Sequence, residues 1–194
     1  MPSPIIKEYG IGLGLQMMTG LPGDTPEISK YTAERIISLA PDCVRIYPTL
    51  VIKDTYLEKL YRSGKYIPQT VGEAAQLAGE LITMFEAADI DVIRVGLQPS
   101  EESSPGASVV AGPFHPAFGE LAAGEIYYRL AAEQLNGVKG DAVIYVNPSE
   151  ISKMTGNKKR NIAKFKQEKG INVKIKGDKT LKRREVRTVA VKET

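Results

Sequence analysis

Three short apolar runs separated by helical stretches constrain this chain more than any other feature. The runs are residues 10–18 (GIGLGLQMM), 43–47 (CVRIY) and 90–97 (IDVIRVGL). Between the first two, Thr25 can cap a helix that has Pro26 at its first position and Glu27 in its first turn. That helix is predicted to run to about Ala40, with Pro41 ending it. Between the second and third, the spacing predicts a short helix near Thr55 to Arg62, stopped at Gly64. A longer one follows from Val71 to Ala88, with Leu77, Leu81, Met84 and Phe85 on one face. Strands alternating with helices predict βαβ units, a parallel sheet and right-handed crossovers. The first run is apolar enough to suit a strand covered on both faces.

Residues 99–116 are rich in Ser, Gly and Pro and read as loop, after which a helix is expected from Gly119 to Leu135. Asn136-Gly137 and Gly140 then mark a boundary, giving expected parts 1–138 and 139–194. The second part predicts strand 142–146, helix 149–155, a Gly156-Asn157-Lys158-Lys159 turn, helix 159–168, strand 171–176 and a strand near 185–191.

The charge splits at nearly the same point. Residues 149–194 hold 15 Lys+Arg against 5 Asp+Glu, whereas the first 148 residues hold 11 against 18. A basic tail on an acidic body predicts that the tail meets a polyanion, since Lys and Arg neutralise phosphates. No run approaches the ~20 apolar residues of a membrane span. The N-terminus also lacks the charged and apolar regions of a secretory signal, so a cytoplasmic protein without membrane partners is expected. One cysteine, Cys43, and one histidine, His115, exclude internal disulfides and multi-thiol or histidine-pair metal sites built by this sequence alone.

Ligands of parallel α/β sheets bind outside the carboxyl ends of the strands. Those ends are 16–23, 47–55 and 96–100. Gly10, Gly12 and Gly14 are no dinucleotide loop, because they lie inside a strand rather than between strand and helix. The Gly20-Leu21-Pro22-Gly23-Asp24-Thr25 turn is better placed, leading from a strand end into a helix N-terminus.

Gln16 through Thr25 (QMMTGLPGDT) resembles the fourth-strand segment of radical S-adenosylmethionine enzymes, an apolar strand followed by GLPGxT. Arg45 through Thr55 (RIYPTLVIKDT), continued by Leu57, Leu60, Gly64, Lys65 and Tyr66, resembles the radical-enzyme domain of the Elongator catalytic subunit. That family carries a YPTLVI segment and then G-[KR]-Y after a short helix. The resemblance covers about residues 5–135. It implies an α/β fold, the C-terminal half (strands four to six) of a partial (βα)6 radical SAM barrel.

The resemblance further implies S-adenosylmethionine and a [4Fe–4S] cluster for the full-length enzyme. It places Gln16 at the nucleoside ribose, Gly96, Leu97 and Gln98 at the adenine, and Arg45, Tyr47 and Lys53 on the substrate side. The C-x3-C-x2-C loop that holds the cluster in such enzymes has no counterpart here, so this chain is expected to be unable to bind the cluster by itself. A missing N-terminal half, a partner chain or a homodimer is expected to complete the barrel.

The tail resembles a KH-type RNA module, a small α+β fold that clamps the RNA backbone with a GXXG loop. Here Gly156, Lys158, Lys159 and Arg160 are the expected RNA contacts, with Lys159 standing where the second glycine would be. The function expected is the C-terminal portion of an Elongator-like enzyme acting on RNA, foremost tRNA. The alternatives are a noncatalytic RNA-binding or assembly protein and an oxygen-independent coproporphyrinogen oxidase-like enzyme.

Overall fold

The computed structural model describes residues 5–6, 8–97 and 108–191. The chain divides into two compact units, Met1–Gly119 and Glu120–Thr194.

In the first unit, β1 (Gly14–Thr19), β2 (Cys43–Pro48) and β4 (Asp91–Val95) form a parallel sheet in the order β1-β2-β4. Helix α1 (Pro26–Ile37) packs on β1, and α3 (Val71–Ala87) packs on β2, β4 and α1. At Thr25 the local chemistry matches the expectation. Thr25 Oγ1 accepts the Ile28 N–H ahead of α1, and Thr70 with Glu73 forms a reciprocal capping box on α3. Leu77, Leu81, Ile82 and Phe85 of α3 are buried, as are Met17, Val44 and Ile46 of the strands. A Lys30–Glu80 ion pair of 2.6 Å links the two helices at the surface.

Three expectations are revised. Strand β1 starts at Gly14 rather than residue 10, because Gly10 adopts a positive φ of 68° and Ile11 is exposed. The Leu13 N–H is instead caught by the Asp42 carboxylate at 2.6 Å. The segment after Pro48 adds β3 (Val51–Ile52), which pairs antiparallel with β5 (Val109–Ala111), a strand inside the stretch read as loop. Finally, α1 and α3 both cover one face of the parallel sheet, and on the other face Gln16, Met18 and Arg45 are exposed. Alternating polar residues in β1 and β2 explain that wet face.

Between β3 and α3, helix α2 (Tyr56–Arg62) is capped by Thr55. The buried Glu58 accepts from the Asp54 N–H and from Arg62, fixing the turn that follows β3.

The second unit contains the helix α4 (Phe118–Gln134) from Glu120 onward. It continues with β6 (Gly140–Val146), the short α5 (Ile151–Thr155), α6 (Arg160–Lys169), β7 (Ile171–Gly177) and β8 (Val186–Val191). The sheet order is β7-β6-β8, with β6 parallel to β7 and antiparallel to β8. Its core joins Tyr127, Tyr128, Ala131 and Leu135 of α4 to Ile144, Met154, Phe165 and Ile171. The helix preceding the Asn136-Gly137 turn therefore belongs to this core.

Tyr127 is fully buried and donates to Glu150 Oε2 at 2.6 Å. Burial, then the hydrogen bond to Glu150, pushes the Tyr127 phenol up to about 12. Burial acts against the charged form of Glu150. The Tyr127 and Lys153 hydrogen bonds and the Lys153 and Arg183 charges together outweigh it, and the carboxyl lies below its usual range. A phenol raised on folding stabilises the fold fully below about pH 10, and that stabilisation is lost as pH rises from about 10 to about 12. Thermal melts of wild type and Tyr127→Phe across that window check this. The phenylalanine variant is expected to show the shallower alkaline decline, and parallel declines would contradict the assignment.

Candidate functional site

The sequence-predicted residues of the first unit come together in part on the uncovered face of its sheet. Register places Gln16 opposite Arg45, and Met18 opposite Tyr47. An irregularity after Val44 then brings Arg94 of β4 opposite Arg45. Gln16, Arg45 and Arg94 thus form one row across three strands, all exposed, with Met18 and Tyr47 in the next row. Like charges directly opposite each other on a sheet are unfavourable, and neither arginine has an acidic partner among the described residues. Such a pair lowers its energy by taking an anion, and arginine suits planar carboxylate and phosphate groups. Arg94 was missed in the sequence, where it reads only as a strand residue.

The strand ends close into a defined rim. The Gly96 N–H donates to Ile46 O and the Thr49 N–H to Thr19 O, each at 2.9 Å. The GLPGDT turn is held by Asp24, whose Oδ2 accepts from the Gly20 N–H and the Ser29 hydroxyl, each at 2.7 Å. Tyr66, the aromatic of the Gly64-Lys65-Tyr66 segment, is buried and donates its hydroxyl to Gly20 O at 2.6 Å. Burial, aided by the Asp24 charge, raises that phenol. The two segments that carry the sequence resemblance therefore meet directly. They line a cleft of about 340 Å³ with Ile67 and Gln69.

The other predicted residues are placed as follows. Lys53 is exposed at the end of β3, its N–H bonded to Ser108 O, and β3 lies in the separate two-stranded sheet. Gly96 has φ of 76°, and a Cβ there would stand 2.8 Å from the Phe118 ring. Its lack of a side chain thus makes room for Phe118. Leu97 is exposed, and Gln98 lies outside the described residues. His115 accepts the Ala117 N–H through Nδ1, which gives it a local role in its turn.

The implied iron–sulfur cluster does not fit the described residues. No three His, Cys, Asp or Glu side chains gather among them to hold a metal ion. The single thiol, on Cys43, lies against Gly14, where an added Cβ would stand 3.3 Å from Sγ. No helix among the described residues is long and apolar enough to cross a membrane.

In the second unit the GNKK loop separates α5 from α6. Gly156 has φ of 75°, and Lys158 and Lys159 take left-handed φ values of 50° and 62°. Two consecutive lysines in that region are costly, about 1 kcal/mol or more each. Asn161, 2% exposed, holds the loop from below, its Nδ2 reaching Gly124 O at 2.9 Å, Met154 O at 3.0 Å and Lys153 O at 3.4 Å. Arg160 is drawn back to the buried Glu125 at 3.3 Å, which Lys164 also meets at 2.8 Å. Lys158 and Lys159 are exposed and have no acidic partner among the described residues.

Residues 41–128 match the Radical_SAM C-terminal domain. The tRNA uridine(34) acetyltransferase of Dehalococcoides mccartyi (strain CBDB1) is 30% identical over 80 residues, 40% of this chain and 17% of that protein. The enzyme of the same name from Methanocaldococcus jannaschii is 33% identical over 76 residues, 38% of this chain and 14% of that protein. The matched stretch is thus less than a fifth of either relative's length. Among solved structures, the archaeal Methanocaldococcus infernus Elp3 with an N-terminal deletion aligns over 65% of this chain and 33% of its own, with TM-score 0.49 and 22% identity. Residues 41–128 are thus similar to the Radical_SAM C-terminal domain, and part of the chain is similar to tRNA uridine(34) acetyltransferases.

Proposed function

We propose that this chain is the C-terminal portion of an Elongator-like radical S-adenosylmethionine system that acts on tRNA. The observation that carries the reading is the row of Gln16, Arg45 and Arg94 on the uncovered face of the parallel sheet. What marks the row as a site is two arginines set side by side with no acidic partner among the described residues. The meeting of Tyr66 with Gly20 supports it, since it joins the two resembling segments. When bound, S-adenosylmethionine with its cluster would supply the radical chemistry. Gln16 holds a nucleoside hydroxyl, Arg45 and Arg94 hold anionic groups, and Tyr47 lines the substrate side. Three thiolates for the cluster would come from outside the given sequence, from a preceding segment or a partner chain, since a second copy brings one cysteine.

The basic second unit grips the RNA. Strand β6, helix α5, the GNKK loop, helix α6 and strand β7 follow the order of a KH-like module, and Lys158 and Lys159, both in strained left-handed backbone, are exposed. Strained backbone of this kind concentrates where a ligand is met. Arg160, tied to Glu125, contributes less than the two lysines.

Filter binding of tRNA transcripts tests the reading. Exchanging Lys158 and Lys159 together for glutamine is expected to weaken binding and to lower the slope of log K against log salt by about 1.4 to 1.8. Equal affinity and slope in wild type and variant would overturn the loop assignment. Absence of tRNA binding by the wild type would overturn the tRNA reading as a whole.

A further inference from the structure

The sheet of the second unit presents a second surface that the loop assignment leaves unused. Ala142, Ile144 and Val146 of β6 point into the core, so Asp141, Val143 and Tyr145 lie on the opposite, open face. Register sets the neighbours of each. Val143 stands between Lys174 and Val189, and Tyr145 stands between Lys176 and Arg187. The open face therefore has an apolar and aromatic centre line with lysines along one side.

The Arg187 guanidinium lies 4.5 Å from the centroid of the Tyr145 ring and is steadied by Asp178 at 2.7 Å. Lys174 and Lys176 are exposed with no acidic partner among the described residues. The remaining acid in these rows, Asp141, sits at the far end and accepts from Asn172 at 3.0 Å. Val189 is 44% exposed and Val191 47%, which is costly for valines that meet only water.

A cationic face with a stacked Tyr–Arg pair at its centre complements a strand that offers phosphates and unstacked bases together. An RNA duplex keeps its bases stacked and its major groove deep and narrow, whereas single-stranded bases can lie on an open sheet. We propose that the open face of the β7-β6-β8 sheet binds single-stranded RNA, stacking a base on the Tyr145–Arg187 pair and taking phosphates on Lys174 and Lys176. This rests on the RNA reading above but uses residues on the opposite side of the sheet from the helices that flank the GNKK loop.

The test is fluorescence anisotropy of the full chain with two labelled probes, a single-stranded oligouridine and a blunt RNA duplex. Tyr145→Ala is expected to weaken oligouridine binding about tenfold or more, the usual value of one stacked base. Lys174→Gln with Lys176→Gln is expected to lower the salt slope by about 1.4. Duplex binding changes less in both. Thermal melts confirm folding, and the lysine pair keeps the test decisive should Tyr145→Ala unfold.

If neither variant changes oligouridine binding while the Lys158/Lys159 exchange does, the open-face proposal falls and the loop reading stands. If the wild type binds neither probe nor tRNA, both fall. If Tyr145→Ala alters the sedimentation of the chain but not its RNA affinity, the face is a protein contact and the proposal is overturned.

Discussion

Gly96→Ala is expected to destabilise the first unit by about 3 kcal/mol. Alanine in the left-handed region costs about 1–2 kcal/mol, and Gly96 sits there with φ of 76°. Its Cβ would also lie 2.8 Å from Cδ1 and 3.0 Å from Cβ of Phe118, which is 3% exposed and has little room to retreat. Overpacking of that kind adds about 1–3 kcal/mol. Chemical denaturation of wild type and variant reads the loss. In a double-mutant cycle with Phe118→Ala, the added cost of Gly96→Ala should shrink, because only the contact with the residue 118 Cβ at 3.0 Å remains. A variant as stable as wild type would contradict the packing role given to Gly96.

The second large effect is expected at Asn161. Its amide donates to carbonyls at the end of α5 and in α4, and removing it leaves buried acceptors unpaired. Asn161→Ala should cost about 3 kcal/mol in the second unit. Asn161→Asp keeps the shape but turns a donor into an acceptor facing three carbonyls, and it should be worse still. Gly156, whose missing Cβ would lie 3.1 Å from Asn161, should lose its fixed conformation in both variants. RNA affinity is then expected to fall along with stability. Denaturation curves for the two substitutions check the order, and an Asp variant more stable than the Ala variant would contradict the donor role.

Much of this was legible before any coordinates. Thr25-Pro26-Glu27 announces its helix by capping chemistry that acts over three or four residues. Strands β2, β6 and β7 fall close to the apolar runs that predict them, because a buried strand needs little beyond local composition. The β3–β5 pair was not legible. Val51–Ile52 is too short to show a period, and its partner is more than fifty residues away inside a Gly- and Ser-rich stretch. The late start of β1 turns on a single positive φ at Gly10, which an apolar run conceals.

The candidate site shows the same division. Gln16, Arg45 and Tyr47 were chosen by resemblance, and their common face follows from β1–β2 register. Arg94 needed more, since an irregularity after Val44 decides which residue of β4 stands beside Arg45. Counting by twos from Asp91 would have selected Ile93 instead. Lys53 stands at the end of β3 because the chain leaves the parallel sheet after Pro48, a change of direction that no side-chain pattern in YPTLVIK marks. Arg160 looked like one more cation of a basic loop, and only the fold brings Glu125 of α4 to meet it.

The most direct measurement is ultraviolet cross-linking of the protein to RNA in its source cells, followed by sequencing of the attached species. The account predicts tRNA as the dominant product, reduced when Lys158 and Lys159 are exchanged together. Recovery of no RNA, or of RNA without tRNA, would contradict it.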